Sequence, residues 1–262
     1  MIAGDSLLAL TGLGVGLIVG MTGMGGGALM TPILVIFFRV HPLAAVSSDL
    51  VASLFMKPVG TAVHARLRNI DGQLVAWLAL GSIPSAFAGV FMLRALGAGA
   101  ALDAKLRYLL GLTLLLAALA VGVRGWLAAR RGRAGGYADR VGVHRGRTLA
   151  VGALGGLIVG MTSVGSGSVV LVLLMLLYPR LRGSRLVAND LAQAVPLVAS
   201  AALAHVLFGD FQASLTFPIL LGGIPGVYLG SRFSAGAPDM VLRPVLAVVL
   251  MASAVGVLHV LP

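Results

Sequence analysis

Residues Leu17-Ile18-Val19-Gly20-Met21-Thr22 return, letter for letter, as Leu157-Ile158-Val159-Gly160-Met161-Thr162. Outward from this pair, Gly12 to Gly27 align with Gly152 to Gly167 at an offset of 140, and the match continues at 141. Ser48-Asp49-Leu50 corresponds to Asn189-Asp190-Leu191, His64 to His205, and Gly81-Ser82-Ile83-Pro84 to Gly222-Gly223-Ile224-Pro225. Past a shorter loop, Asp103, Leu106 and Arg107 match Asp239, Leu242 and Arg243. Such self-similarity marks one unit duplicated: a first repeat at 1–124, a basic linker at 125–147 and a second repeat at 148–262.

Of the 262 residues, 59% are apolar and only 10% charged, the composition of multispanning helical membrane proteins rather than of soluble domains. Met1 to Ser6 carry no Lys or Arg, so the opening apolar stretch lacks the basic start of a cleaved signal peptide and is expected to be retained. With no cysteine, disulfides, thiolate metal sites, iron–sulfur clusters and covalently attached haem are excluded, and no cofactor or metal is expected. The net charge of +11 comes almost wholly from Arg between apolar stretches, and all eight acidic residues are Asp. Arg130, Arg131, Arg133, Arg140, Arg145 and Arg147 share one loop in which only Tyr137 could stack on a base. That loop reads as membrane topology, with the lipid bilayer and not nucleic acid as partner.

Each half opens with a glycine-interrupted apolar stretch (6–38 and 148–178), followed by three stretches long enough to span: 42–65, 73–93 and 104–124, matched by 186–208, 213–231 and 240–260. If the first stretch crosses once, the loops on the two sides carry nine basic residues each and give no orientation signal. If it turns back as a broken hairpin, fourteen fall on one side and four (Arg39, Arg94, Lys105, Arg107) on the other. Basic residues flanking spans concentrate in the cytoplasm, which favours the hairpin. A hairpin plus three spans is odd in crossings, so the second copy lies upside down. The expected fold is therefore an all-α polytopic membrane protein of two inverted repeats, each a glycine-broken helical hairpin plus three transmembrane helices. Both termini are expected outside the inner membrane and the linker inside.

The hairpin tips read Thr22-Gly23-Met24-Gly25-Gly26-Gly27 and Thr162-Ser163-Val164-Gly165-Ser166-Gly167-Ser168. Clustered glycines break a helix, and broken backbone at membrane depth survives only beside protein or a cavity. The helix resuming after each tip begins with unpaired N–H groups and a partial positive charge, an anion site to which the Thr and Ser hydroxyls add donors. Close helix packing is the structural alternative, although packing motifs space glycines four apart whereas these are nearly consecutive. No GK[ST] follows, so neither tip is a nucleotide-binding loop.

Lys57 is the strongly basic residue deep inside a span, ahead of Pro58, and its counterpart is Val198. A buried cation there is costly and faces a cavity or a partner: it reads as a ligand for the substrate anion, or as a partner of Asp49. Asp49 and Asp190, beside Ser47, Ser48 and Asn189, are open to two readings, a proton or cation relay or carboxylates that tie the tips down. His64 and His205, near the far ends of the same helices, fit interfacial anchoring or proton transfer. Pro84 and Pro225 are expected to kink the third spans.

At these residues the chain resembles the sulfite exporter TauE/SafE family, through the two tips, Ser48-Asp49 and Asn189-Asp190, Lys57-Pro58 and the Gly81–Pro84 and Gly222–Pro225 turns. The second tip departs from a run of three glycines through Ser166. The resemblance implies a secondary transporter that exports sulfite or a related organosulfur or sulfonate anion. Uptake of a sulfonate coupled to protons or sodium is the alternative, with Asp49, Asp190 and the two histidines as coupling candidates. A metal carrier has a thin ligand supply, and no HExxH, GxSxG or catalytic Cys points to an enzyme. A homo-oligomer is compatible with all of these.

Overall fold

The structure, a computed structural model, describes residues 2–22, 26–66, 70–97, 99–133, 141–208, 211–233 and 239–259. The described chain is helical: α1 (Ile2–Thr22), α2 (Gly27–Ile36), α3 (Pro42–Arg66), α4 (Gly72–Ala95), α5 (Gly99–Arg133), α6 (Arg145–Thr162), α7 (Val169–Leu177), α8 (Gly183–Leu207), α9 (Ala213–Phe233) and α10 (Asp239–His259). Helices satisfy their own backbone polar groups, which lipid cannot do for them. Six are long and apolar enough to cross a membrane, within Gly4–Thr22, Pro42–Ala62, Gly72–Ala95, Ala101–Leu127, Gly183–Leu207 and Ala213–Phe233. Large apolar side chains such as Leu10, Phe217, Leu221 and Val248 face outward from the bundle, as lipid requires. Local signals place the boundaries: Pro42 opens α3, and Asp71 caps α4 by accepting from the Gln73 and Leu74 amides at 3.0 and 3.3 Å.

The expected stretches coincide with helices, with two differences. Helix α5 continues to Arg133, past residue 124 where the apolar run ends, because Leu, Ala and Arg there are good helix formers and no Pro intervenes, so that Gly125 and Gly132 are tolerated. Within the opening stretch α1 is long enough to span by itself, whereas α2 has 10 residues and reaches about half-way.

The two halves interlock rather than sit side by side. Helix α1 lies along α9 and α6 lies along α4; α3 packs on α9 and α8 on α4; α2 packs on α10 and α7 on α5. Under the internal repeat each of these pairs is the counterpart of the other. Glycines four residues apart bring the backbones together. A Cβ added at Gly12 or Gly16 would stand 2.5 Å from the carbonyl oxygen of Ile219 or Gly223, and one at Gly226 2.5 Å from that of Leu13. Gly152, Gly156 and Gly160 meet the Leu78, Ser82 and Ala86 carbonyls in the same manner. This is the small-residue stripe of membrane helix pairs, repeated in both halves.

Candidate functional site

The second hairpin is broken as expected. Helix α6 ends at Thr162, and the chain turns through Ser163 (φ 60°), Gly165 (φ 136°) and Gly167 (φ 79°) before α7 begins at Val169. Gly165 and Gly167 occupy backbone that L side chains rarely adopt, whereas Ser166 between them does not, so a serine is accommodated there. Thr162, Ser163, Val164, Ser166 and Ser168 are all buried.

In the first hairpin α1 stops at Thr22 and α2 starts at Gly27; Gly23, Met24 and Gly25 lie outside the described residues. Gly26 caps α2, and a Cβ on it would lie 3.7 Å from Asp49 Oδ1. One on Gly27 would run into the Ser163 backbone and hydroxyl, so the start of α2 rests directly on the second tip. Thr22 itself donates back to the Ile18 carbonyl at 2.7 Å.

Three buried charged side chains converge on the second tip. Asp49 Oδ2 accepts from Ser163 Oγ at 2.5 Å and from Thr31 Oγ1 of α2 at 3.2 Å, which links both hairpins to one carboxylate. Asp190 Oδ2 accepts from the Gly167 amide at 2.6 Å, and its Oδ1 accepts from Gln193 Nε2 at 3.0 Å. Lys57 Nζ donates to Ser166 Oγ at 2.6 Å and lies in the field of both carboxylates. Lys57 is 5% exposed and each aspartate 2%, so no bulk water screens this triad. Since a lone buried charge is prohibitive, the three stabilise one another, with tip hydrogen bonds completing their shells.

Asp49 and Asp190 both bond to the second tip, and Lys57 meets the tip and lies in the field of the two carboxylates. The remaining sequence candidates stand further out. Asn189 accepts from the Asp71 amide at 2.7 Å, and Ser48 accepts from the Gln212 amide at 3.4 Å. These are repeat-related contacts, each reaching into the opposite half. His205 is fully buried; its Nε2 donates to the Gly160 carbonyl at 3.0 Å and its Nδ1 meets Ser47 Oγ at 2.9 Å. The His64 side chain lies outside the described ones. Pro84 and Pro225 fall within α4 and α9.

Sequence reasoning passed over Thr31, Gln193 and Ser82, whose hydroxyl donates to Gln193 Oε1 at 3.1 Å. An amide in an apolar span was a readable signal for Gln193; Ser82 stood in the duplicated Gly81–Pro84 segment without a role of its own, and Thr31 offered no signal. Lys57 also lines a narrow cleft with Val19, Met56, Leu191, Val227 and Ser231, whose free volume of about 10 Å³ is the room of about one water. Among the described residues no cluster of His, Cys, Asp or Glu could hold a metal ion.

Residues 8–257 match the family model described as "Sulfite exporter TauE/SafE". The chain is 35% identical over 247 residues to "Probable membrane transporter protein YjnA" of Bacillus subtilis (strain 168), covering 94% of this chain and 96% of that protein. It is 23% identical over 230 residues to "Probable membrane transporter protein YdhB" of the same organism, covering 87% and 89%. No solved structure matches it. With a family model spanning nearly its whole length and a relative aligned end to end, this helical membrane chain belongs to the sulfite exporter TauE/SafE family.

Proposed function

We propose that the protein is a secondary permease of the inner membrane that carries a small sulfur-containing anion, sulfite or a related organic sulfonate, outward past Lys57 and the second tip. The observation that carries this reading is the buried Lys57 ammonium, held 2.6 Å from Ser166 on a segment where the helix is interrupted. The Ser166 hydroxyl accepts from Lys57 and keeps its own hydrogen to give, so an oxyanion oxygen arriving there meets two donors. Helix α7 begins three residues later and adds its N-terminal partial charge.

The halves are read as inverted repeats that rock about this point. The exchange of partners between them supports a two-fold relation, and on the hairpin reading, with three crossings per repeat, its axis lies in the membrane plane. The linker then lies in the cytoplasm with both ends outside. Arg130 over Trp126 and Arg145 over Trp77, at 4.0 and 5.7 Å from the ring centroids, fit an interfacial belt on that side. An inside-negative potential favours anion exit by about 2.3 kcal/mol per charge per 100 mV, so export runs without a coupling ion.

A second reading has a specific observation behind it. Two carboxylates flank a single ammonium, so the fully ionised triad carries one net negative charge, which opposes anion entry. A proton taken up with the substrate would remove that opposition and would allow uptake.

Purified protein in proteoliposomes, at set membrane potential and pH gradient, tests both. Flux of sulfite or sulfoacetate driven by voltage alone supports the first reading; flux that needs a proton gradient supports the second. Absence of flux for sulfite, sulfoacetate and thiosulfate under either gradient refutes both.

A further inference from the structure

On the reading of Lys57 as an anion ligand, we propose that Ser231 is a second substrate-binding residue, donating its hydroxyl hydrogen to the anion in the cleft that leads to Lys57. Ser231 is 7% exposed and its Oγ has no hydrogen-bond partner among the described residues. Several buried hydroxyls in these helices bond back to the carbonyl four residues earlier, Ser47 to Leu43 at 2.7 Å, Thr113 to Leu109 at 2.8 Å and Thr162 to Ile158 at 2.7 Å, and others meet a side chain, as Thr31 meets Asp49 and Ser82 meets Gln193. Ser231 departs from this habit where Gly20 presses against the Val227 carbonyl that would be its acceptor. A buried hydroxyl left without a partner is unfavourable, and one that lines a cleft finds its partner in whatever enters.

The internal repeat gives an independent argument. The cleft side chains Val19, Met56, Lys57, Leu191, Val227 and Ser231 correspond to Val159, Leu197, Val198, Leu50, Ala86 and Val90. All six counterparts are apolar and at most 1% exposed, so the related location is sealed. Both polar groups therefore sit on the side that holds the cleft, 174 residues apart in sequence, and neither has a polar twin. A hydroxyl and an ammonium set in apolar walls suit an anion that brings its own acceptor oxygens. A cation would meet the ammonium's repulsion.

The chain has no cysteine, so single thiols can be introduced without background. In proteoliposomes Ser231→Ala should raise KM for sulfoacetate about tenfold, the loss of one hydrogen bond to a charged group, with kcat little changed. Ser231→Cys should react with the anionic thiol reagent 2-sulfonatoethyl methanethiosulfonate, and sulfoacetate should slow that reaction; Val90→Cys should react far more slowly. An unchanged KM in Ser231→Ala, or an unreactive thiol at that position, overturns the proposal while wild-type transport stands. If the wild type moves no sulfur anion and none protects the thiol, the underlying reading of the site fails instead.

Discussion

Replacing Gly16 with alanine should destabilise the protein, while the same change two residues earlier should not. A Cβ at Gly16 would lie 2.5 Å from the Gly223 carbonyl oxygen and 3.0 Å from the Val227 amide nitrogen; at Gly14 it would meet nothing within 4 Å. Restoring ordinary contact distance requires α1 and α9 to separate by about 1 Å along a stripe that Gly12 and Gly226 share. Overpacking of this kind costs about 1–3 kcal/mol, and alanine returns about 1 kcal/mol of helix propensity at either site. The two variants should thus differ by about 1–3 kcal/mol. At about 2–4 °C per kcal/mol for a chain of this size, Gly16→Ala should melt about 2–12 °C below Gly14→Ala. Thermal unfolding of detergent-purified protein measures this, and a Gly16→Ala variant melting level with or above Gly14→Ala refutes the close α1–α9 packing. Because α1 delivers the first tip, the same variant should also lose transport.

Lys57→Met should lower kcat/KM for the anion by about 10- to 100-fold, the value of a charge-assisted hydrogen bond, in proteoliposome initial rates. Asp49→Asn keeps an acceptor for Thr31 and Ser163 and should cost about 1 kcal/mol, whereas Asp49→Ala strands both hydroxyls and should cost about 2–4 kcal/mol; melting curves of the two variants compare them. Tyr178→Phe removes the partner of the Thr148 hydroxyl at 2.5 Å and of the His144 amide at 3.0 Å, and should lower stability by about 1–3 kcal/mol without altering KM. Reporters that fluoresce only in the cytoplasm should stay dark at both termini and light up when inserted in the linker.

Much of the fold could be read directly. The six-residue duplication at Leu17 and Leu157 announces two halves, and apolar runs interrupted by turn residues announce their helices, because lipid imposes length and self-satisfied backbone on any span. Glycine clustering likewise located the break at Ser163 to Ser168, since positive φ at Gly165 and Gly167 is a local demand. The four-residue spacing of Gly12, Gly16 and Gly20 stands in the sequence, but its role as a packing stripe and the helix it meets emerge only in the structure.

What sequence alone determined were properties of segments: helix, span, break, basic flank and the isolated lysine. What the tertiary structure decided were partnerships, such as Asp49 with Ser163, Asp190 with Gly167 and Lys57 with Ser166, and a Ser231 left without a partner among the described residues. The division is physical. Span and break follow from the cost of polar backbone in lipid, paid residue by residue along the chain. Which buried hydroxyl meets which charge depends on how closely helices distant in sequence approach, and glycine contacts of a few ångströms set that.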